Sequence, residues 1–366
     1  MKIGILTFHF GTNYGGILQC YALQQVLKMQ GHEVEIINYR GIYKVTLVHR
    51  VVNKLKTIAN LRAFSRLIKE SILRMFTSNQ TVKISHSMQE KCMLIFNDFR
   101  RNFLSMSESV NEDTISRLAD RYDAVIVGSD QVWTSLYDKH SIYFLNWLPN
   151  DYKGKRIAYA ACSAHSFVQP SRSEDLNKYL SRFDLITVRD LTTQNLVKQI
   201  TGKKVSIVAD PTLLYDFKDF VSEQPESPYI LCYILGNEIK DGHKTTVTKI
   251  RKELGNITVK AILVPHSPND IAKYVDDVYD AVTPQQWVNM FAHASFVYTD
   301  SFHGVMFSLK YDKPFFAYYT DLVRSSRLLD LKDRFPELNI NESLKNKILC
   351  KGHGKLLEKM DRSFRV

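Results

Sequence analysis

The chain has 366 residues, 45% of them hydrophobic and 11% aromatic, and a formal charge of +11. That is enough apolar material for two ordinary domains, with no run of the roughly 18 apolar residues a membrane span needs and no signal-peptide pattern in MKIGILTFHFG. Five scattered cysteines (Cys20, Cys92, Cys162, Cys232, Cys350), without CxxC or His/Cys ligand spacing, argue against a disulfide framework and a zinc site, so a cytoplasmic, metal-free protein with an anionic partner is expected.

In chain order, KIGILTF reads as a strand that stops at HFGTNYGG. ILQCYALQQVLKMQG then takes helical period up to Gly31, and HEVEIINY is a second strand. In the loop between them Gly11, Gly15 and Gly16 permit close backbone approach, and the helix start offers N–H donors to an anion. The spacing is not GxGxxG, and a tight turn without ligand fits it equally. From Arg40 to Phe76 the basic residues Arg40, Lys44, Arg50, Lys54, Lys56, Arg62, Arg66, Lys69 and Arg74 meet a single acid, Glu70, with apolar residues between them near helical spacing. This is the pattern of a basic amphipathic helix on an anionic membrane surface, and also of a packed helical insertion with a basic solvated face.

After a helix around Met88 to Phe103 come YDAVIVGSDQVW, KRIAYAACSA, FDLITVRD with its helix LTTQNLVKQITG, and KVSIVADPTLL. Apolar on both faces and separated by helices, such strands belong in a parallel sheet. Asp130 and Gln131 follow the first of these strands, where an Asp serves as helix cap or as base. Arg189 ends another, where a guanidinium clamps a carboxylate or phosphate, or else pairs with Asp190 or Asp210. YDFKDFVSEQPESPY, with Pro225 and Pro228, suits a linker. A second series follows: YILCYILG, helix, ITVKAILVP, helix, DDVYDAVT, the helix PQQWVNMFAHA, the strand SFVYTD, helix, and KPFFAYY. SFVYTD opens onto TDSFHG, which sets His303 between a buried strand and a packed helix. An imidazole there serves proton transfer, caps the helix or is satisfied in the core.

The expected fold is α/β, two Rossmann-like domains facing across a cleft, with ligands outside the carboxyl ends of the strands. The expected bounds are residues 1–218 with a basic helical insertion at about 40–105, residues 219–340, and a helical tail at 341–366.

Taken in order, TFHFGTNYGGILQCYALQ, VGSDQVW, RIAYAACSA, VRD, ADPT, TDSFHG and SSRLLDL resemble the polysaccharide pyruvyl transferase family over most of the chain. The resemblance implies a GT-B-like domain pair and transfer of a pyruvyl group to two hydroxyls of a sugar, closing a cyclic ketal. Phosphoenolpyruvate is then the donor substrate, and no cofactor is implied. It implies donor roles for His303 and Arg189, with Ser301 and Gly304 in the same donor loop. Better-characterised members carry an arginine two positions before that histidine, where this chain has Ser301, so Arg327 is named to supply the missing charge. Asn13, Tyr14, Gly15 and Gln131 are assigned to the acceptor, and Asp130 to its hydroxyl. The implied partners are phosphoenolpyruvate and a galactose-type sugar, lipid-linked at the inner membrane face, and not nucleic acid.

The chemistry agrees with these residue types. A small, highly charged donor needs cationic clamps and N–H groups, and protonation of its enol carbon needs an acid that titrates near neutrality. A GT-B glycosyltransferase using a nucleotide sugar shares the architecture. It calls for an acidic ribose or metal contact in the second domain, which the sequence does not supply. A membrane-associated scaffold would explain the basic segment but not the polar residues at strand ends.

Overall fold

The structure, a computed structural model, describes residues 1–41, 86–133, 142–163, 170–222, 227–265, 267–320 and 325–344. The basic segment beyond Gly41, Cys350 and the expected tail beyond residue 344 lie outside the described residues.

Short runs such as AVIV, buried at every position, can only be central strands, and they assemble into two parallel sheets. The first holds β1 (Lys2–Leu6), β2 (Glu33–Tyr39), β3 (Met106–Val110), β4 (Ala124–Val127), β5 (Lys155–Ala161), β6 (Leu185–Val188) and β7 (Ser206–Ile207), in the order β3-β2-β1-β4-β5-β6-β7. The second holds β8 (Tyr229–Tyr233), β9 (Thr258–Ile262), β10 (Asp277–Tyr279), β11 (Phe296–Thr299), β12 (Phe315–Tyr318) and β13 (Ile340–Asn341), in the order β10-β9-β8-β11-β12-β13. Each sheet runs outward from its first strand and then reverses, so each has a switch point, at β1/β4 and at β8/β11.

The helices follow local signals. Asn13 caps α1 (Tyr14–Met29) by accepting from the Gly16 amide at 3.1 Å. α1 is buried on nearly every side because the first sheet covers one face and the second domain the other. Its buried Gln19 donates to Thr7 Oγ1 at 3.0 Å and accepts from Ser129 Oγ at 2.9 Å, tying together the loops that follow β1 and β4. Then come α2 (86–103), α3 (Pro170–Leu180), α4 (Leu191–Thr201), the short α5 (Pro211–Leu214), α6 (His243–Glu253), α7 (Pro284–His293), α8 (Phe302–Lys310) and α9 (Ser326–Arg334).

The structure departs from expectation in three places. The stretch read as a linker buries Phe217 and Phe220, and Tyr21 of α1 stacks on Phe220 at 5.2 Å, so it is a wedge in a core shared by both domains. Tyr14, assigned to the acceptor, is 2% exposed, stacks on Trp287 of α7 at 5.8 Å and donates to Val282 O at 2.8 Å. It is part of the domain seam, because an aromatic at the first helical position faces inward here. The helix expected after ITVKAILVP is a single 3₁₀ turn, Ile271–Tyr274. Among the described residues no helix is long and apolar enough to cross a membrane.

Candidate active site

The loops after β1, β4, β6 and β7 meet the N-terminus of α8 and of α9 where the two switch points face each other. Asp130 sits in the left-handed region (φ 71), which a short acidic side chain tolerates. Its carbonyl accepts from Val132 and Cys162, fixing the backbone to the end of β5. Arg189 follows β6 and is 3% exposed. It donates through Nη1 to Asp210 Oδ2 at 2.7 Å and through Nη2 to Asp130 Oδ1 at 3.3 Å. Asp210 caps α5, its Oδ1 accepting from the amide and hydroxyl of Thr212, which leaves Oδ2 for the site.

His303 is the second residue of α8 and is 5% exposed. Its Nε2 lies 3.7 Å from Asp210 Oδ2, within ion-pair reach but beyond hydrogen-bond distance. Nδ1 packs on the backbone of Gly15, where a Cβ would lie 2.0 Å away. The glycine loop therefore makes room for the imidazole. Arg327, the second residue of α9, reaches in from the other side, 3.8 Å from Asp130 Oδ1, with its side chain 22% exposed. The Phe302 ring lies between the guanidinium groups, 4.5 Å from Arg189 Cζ and 5.5 Å from Arg327 Cζ. A small polar cleft of ≈ 90 Å³ opens here, with Asn13, Asp300, Ser301, His303 and Arg327 among its walls.

The electrostatics are governed by opposing terms. Burial alone would raise the Asp130 carboxyl, but the charges of Arg189, His303 and Arg327 outweigh it and hold the group below its ordinary value. For Asp210 burial is again outweighed, by His303 and Arg189 and by the Thr212 amide, and the group is held well below the usual range. Both carboxylates are therefore ionised near neutral pH. Burial pushes the Cys162 thiol up to about 12, assisted by Asp190, to which it donates at 2.8 Å, so it is no nucleophile.

The expected residues His303, Asp130, Arg189, Arg327, Ser301 and Asn13 are brought together, and Gln131 is half-buried beside Asp130. Two readings change. Arg189, expected as an open donor clamp, has both ends of its fork committed to carboxylates, as the alternative pairing with Asp210 anticipates. Gly304, expected in the donor loop, lies within α8, which starts at Phe302, and its N–H goes to Ser301 Oγ at 3.2 Å. A Cβ on Gly304 would meet Thr299 Oγ1 at 2.5 Å, so the residue is small to let α8 lie on β11. Sequence reasoning missed the central place of Asp210. Its signal was an acid at a strand end before Pro211, which reads as an ordinary cap.

Fold and site together define a GT-B-like α/β protein, two Rossmann-like domains with a buried charged cluster between their switch points. The chain belongs to the polysaccharide pyruvyl transferase family, whose profile matches residues 13–321, and is thus a transferase. Arg327 lies just beyond that span. No match is found among curated proteins. Among solved structures the chain is similar to a putative UDP-N-acetylglucosamine 2-epimerase from Listeria monocytogenes (11% identity, TM-score 0.47, covering 87% of this chain and 78% of that one). It is also similar to Arabidopsis thaliana UGT89C1 complexed with UDP-L-rhamnose (12%, 0.45, 99% and 89%) and to the E. coli heptosyltransferase WaaC with ADP (13%, 0.40, 88% and 89%).

Proposed function

We propose that the protein transfers the pyruvyl group of phosphoenolpyruvate to two hydroxyls of a galactose-type sugar, forming a cyclic ketal during assembly of a surface polysaccharide. The observation that carries this reading is a set of three buried nitrogens, Arg189 Nε, His303 Nε2 and Arg327 Nε, that have no hydrogen-bond partner among the described residues. Buried polar atoms are almost always paired, and three cationic or protonatable side chains gathered around the Phe302 ring suit a small anion. Arg327, weakly held and partly exposed, is the donor's direct clamp, and Arg189 fixes Asp130 and Asp210 beneath it.

In the reaction C3 of the donor takes a proton and C2 becomes electrophilic. One acceptor oxygen bonds C2, the C2–O bond to phosphate breaks, and the second oxygen closes the ring. Of the two hydroxyl protons released, one replaces the proton given to C3 and the other leaves with phosphate. His303 carries the first proton, and Asp130 draws on the acceptor hydroxyl. No redox step or cofactor enters.

The nucleotide-sugar reading meets a specific obstacle. At the β8/β11 switch point, where a diphosphate would seek backbone amides, the Asp300 carboxylate already accepts from Leu235 N and Gly236 N, each at 2.7 Å. A diphosphate there would face a fixed negative charge. The two readings separate in one assay, release of inorganic phosphate from phosphoenolpyruvate with galactoside acceptors beside a panel of nucleotide sugars. Phosphate release that depends on acceptor is expected; turnover of a nucleotide sugar instead would overturn the reading.

A further inference from the structure

A second cavity, of ≈ 410 Å³ and distinct from the cleft at His303, opens at the carboxyl ends of β1 and β2, walled by α2. It is lined by His9, Phe10, Gly11, Asn38, Arg40, Arg100 and Arg101 among others, and none of the described residues that line it is an Asp or Glu. Arg101 is paired with Asp98. Arg40 and Arg100 have no carboxylate within ion-pair distance among the described residues. Arg40 Nε donates to Asn38 Oδ1 at 3.4 Å. Arg100 donates to His9 O at 3.1 Å, to Gly11 O at 3.0 Å and to Asn97 Oδ1 at 2.8 Å. Burial and the Arg40 charge both push the Arg100 guanidinium below its ordinary value, the mark of like charges held toward one void.

Two guanidinium groups facing one concavity without a counter-charge repel each other and draw an anion, most strongly one with several oxygens to receive planar N–H pairs. The volume falls in the range of small-molecule pockets, roughly 300–1,000 Å³, and exceeds what phosphate alone fills. Phe10 and Met93, both exposed large hydrophobics, provide an apolar platform beside the charge. The loop after β1 borders both this cavity and the cleft at His303. Gly11 lines the one and Asn13 the other, two residues apart on the loop that Arg100 pins through His9 O and Gly11 O. That separation is at most roughly 7 Å of extended chain, about one sugar ring.

We propose that this cavity binds the phosphate of a phosphorylated saccharide, Arg40 and Arg100 holding the phosphate and the Phe10 platform the sugar, which then extends toward His303. That the saccharide is the pyruvyl acceptor rests on the function proposed above; that the cavity takes a sugar phosphate does not.

The test is titration calorimetry of galactose 1-phosphate, inorganic phosphate and phosphoenolpyruvate against the full chain, Arg40→Gln and His303→Ala. Galactose 1-phosphate should bind more tightly than phosphate. It should lose about tenfold or more with Arg40→Gln, the scale of one charge-assisted bond, and much less with His303→Ala, and saturating phosphoenolpyruvate should not displace it. Unchanged affinity in Arg40→Gln, displacement by phosphoenolpyruvate, or no binding at millimolar sugar phosphate would each overturn the proposal. Phosphatidylcholine vesicles with and without polyprenyl phosphate separate the sources. Arg40-dependent capture by the former alone assigns a lipid-borne phosphate, and its lack beside soluble binding assigns a free one. If the Arg40 effect stands while no acceptor releases phosphate from phosphoenolpyruvate, the cavity assignment survives and the pyruvyl-transfer reading fails.

Discussion

At the scale of residues, His303 is set as much by a missing side chain as by charge. His303→Ala should leave folding intact and lower ketal formation by about two to four orders of magnitude, the worth of a general acid or base. Gly15→Ala provides an independent test. Within a helix the change would otherwise stabilise by up to about 1 kcal/mol, but the new Cβ would lie 2.0 Å from His303 Nδ1, so the ring must move. A loss of about 10²-fold in kcat is expected, the cost of roughly 1 Å of misplacement; a fully active Gly15→Ala enzyme would detach the ring's placement from catalysis. The two arginines should part company. Arg189→Ala strands two buried carboxylates and should cost about 3–5 kcal/mol in denaturant unfolding. Arg327→Ala should cost far less stability and instead raise the KM for phosphoenolpyruvate, with Arg327→Lys recovering little because an ammonium lacks the planar fork. His303, Asp130 and Arg189 were legible because each stands out as polar at or just beyond an apolar run, whereas Arg327 was named only through the motif SSRLLDL and the charge missing at Ser301. Asp210 and Asp300 were not, because an acid at a strand end looks the same in sequence whether it caps a turn or also faces a site.

At the scale of elements, α9 joins the two halves of the cluster. Arg327, Asp330 and Arg334 are spaced to share one face. Arg327 reaches the cleft, Asp330 accepts from the Leu191 amide of the first domain at 2.7 Å, and Arg334 donates to Asp330 and to Arg189 O. Asp330 is thus a positioning residue for Arg327. Asp330→Ala should raise the KM for phosphoenolpyruvate by about tenfold with a smaller change in kcat, the loss of one charge-assisted bond. Asp330→Asn, which keeps an acceptor for Leu191, should recover most of it. Equal KM values in all three proteins would reduce α9 to packing. This helix was visible only as the motif SSRLLDL, since its composition is too polar to announce an apolar face. β3 (MSESV), β13 with two residues, and α3 (PSRSEDLNKYL) escaped for the same reason. The strands β4, β8, β11 and β12, buried throughout, could be read directly from their apolar runs.

At the scale of the whole molecule, the aromatic seam through Tyr14, Tyr21, Phe220 and Trp287 makes the two domains one packed body, so the charge of +11 acts as a field around a single particle. Where that charge lies then matters more than its total. The Arg40 to Phe76 segment concentrates it in sequence, and an acceptor on a lipid at the membrane face would make such a segment useful. Each Lys or Arg near an anionic leaflet contributes about 1 kcal/mol, so several together hold a protein loosely and salt releases it. Reversing Lys54, Lys56, Arg62 and Arg66 to glutamate should abolish co-sedimentation with phosphatidylglycerol vesicles at low salt while sparing turnover of a soluble acceptor. Reversing the exposed Lys198, Lys203, Lys249 and Lys252 changes the net charge equally, and should leave most of the binding intact. If both sets reduce binding alike, net charge alone is at work and the segment has no special affinity for the surface. If the unaltered protein ignores such vesicles, its basic charge serves substrate alone.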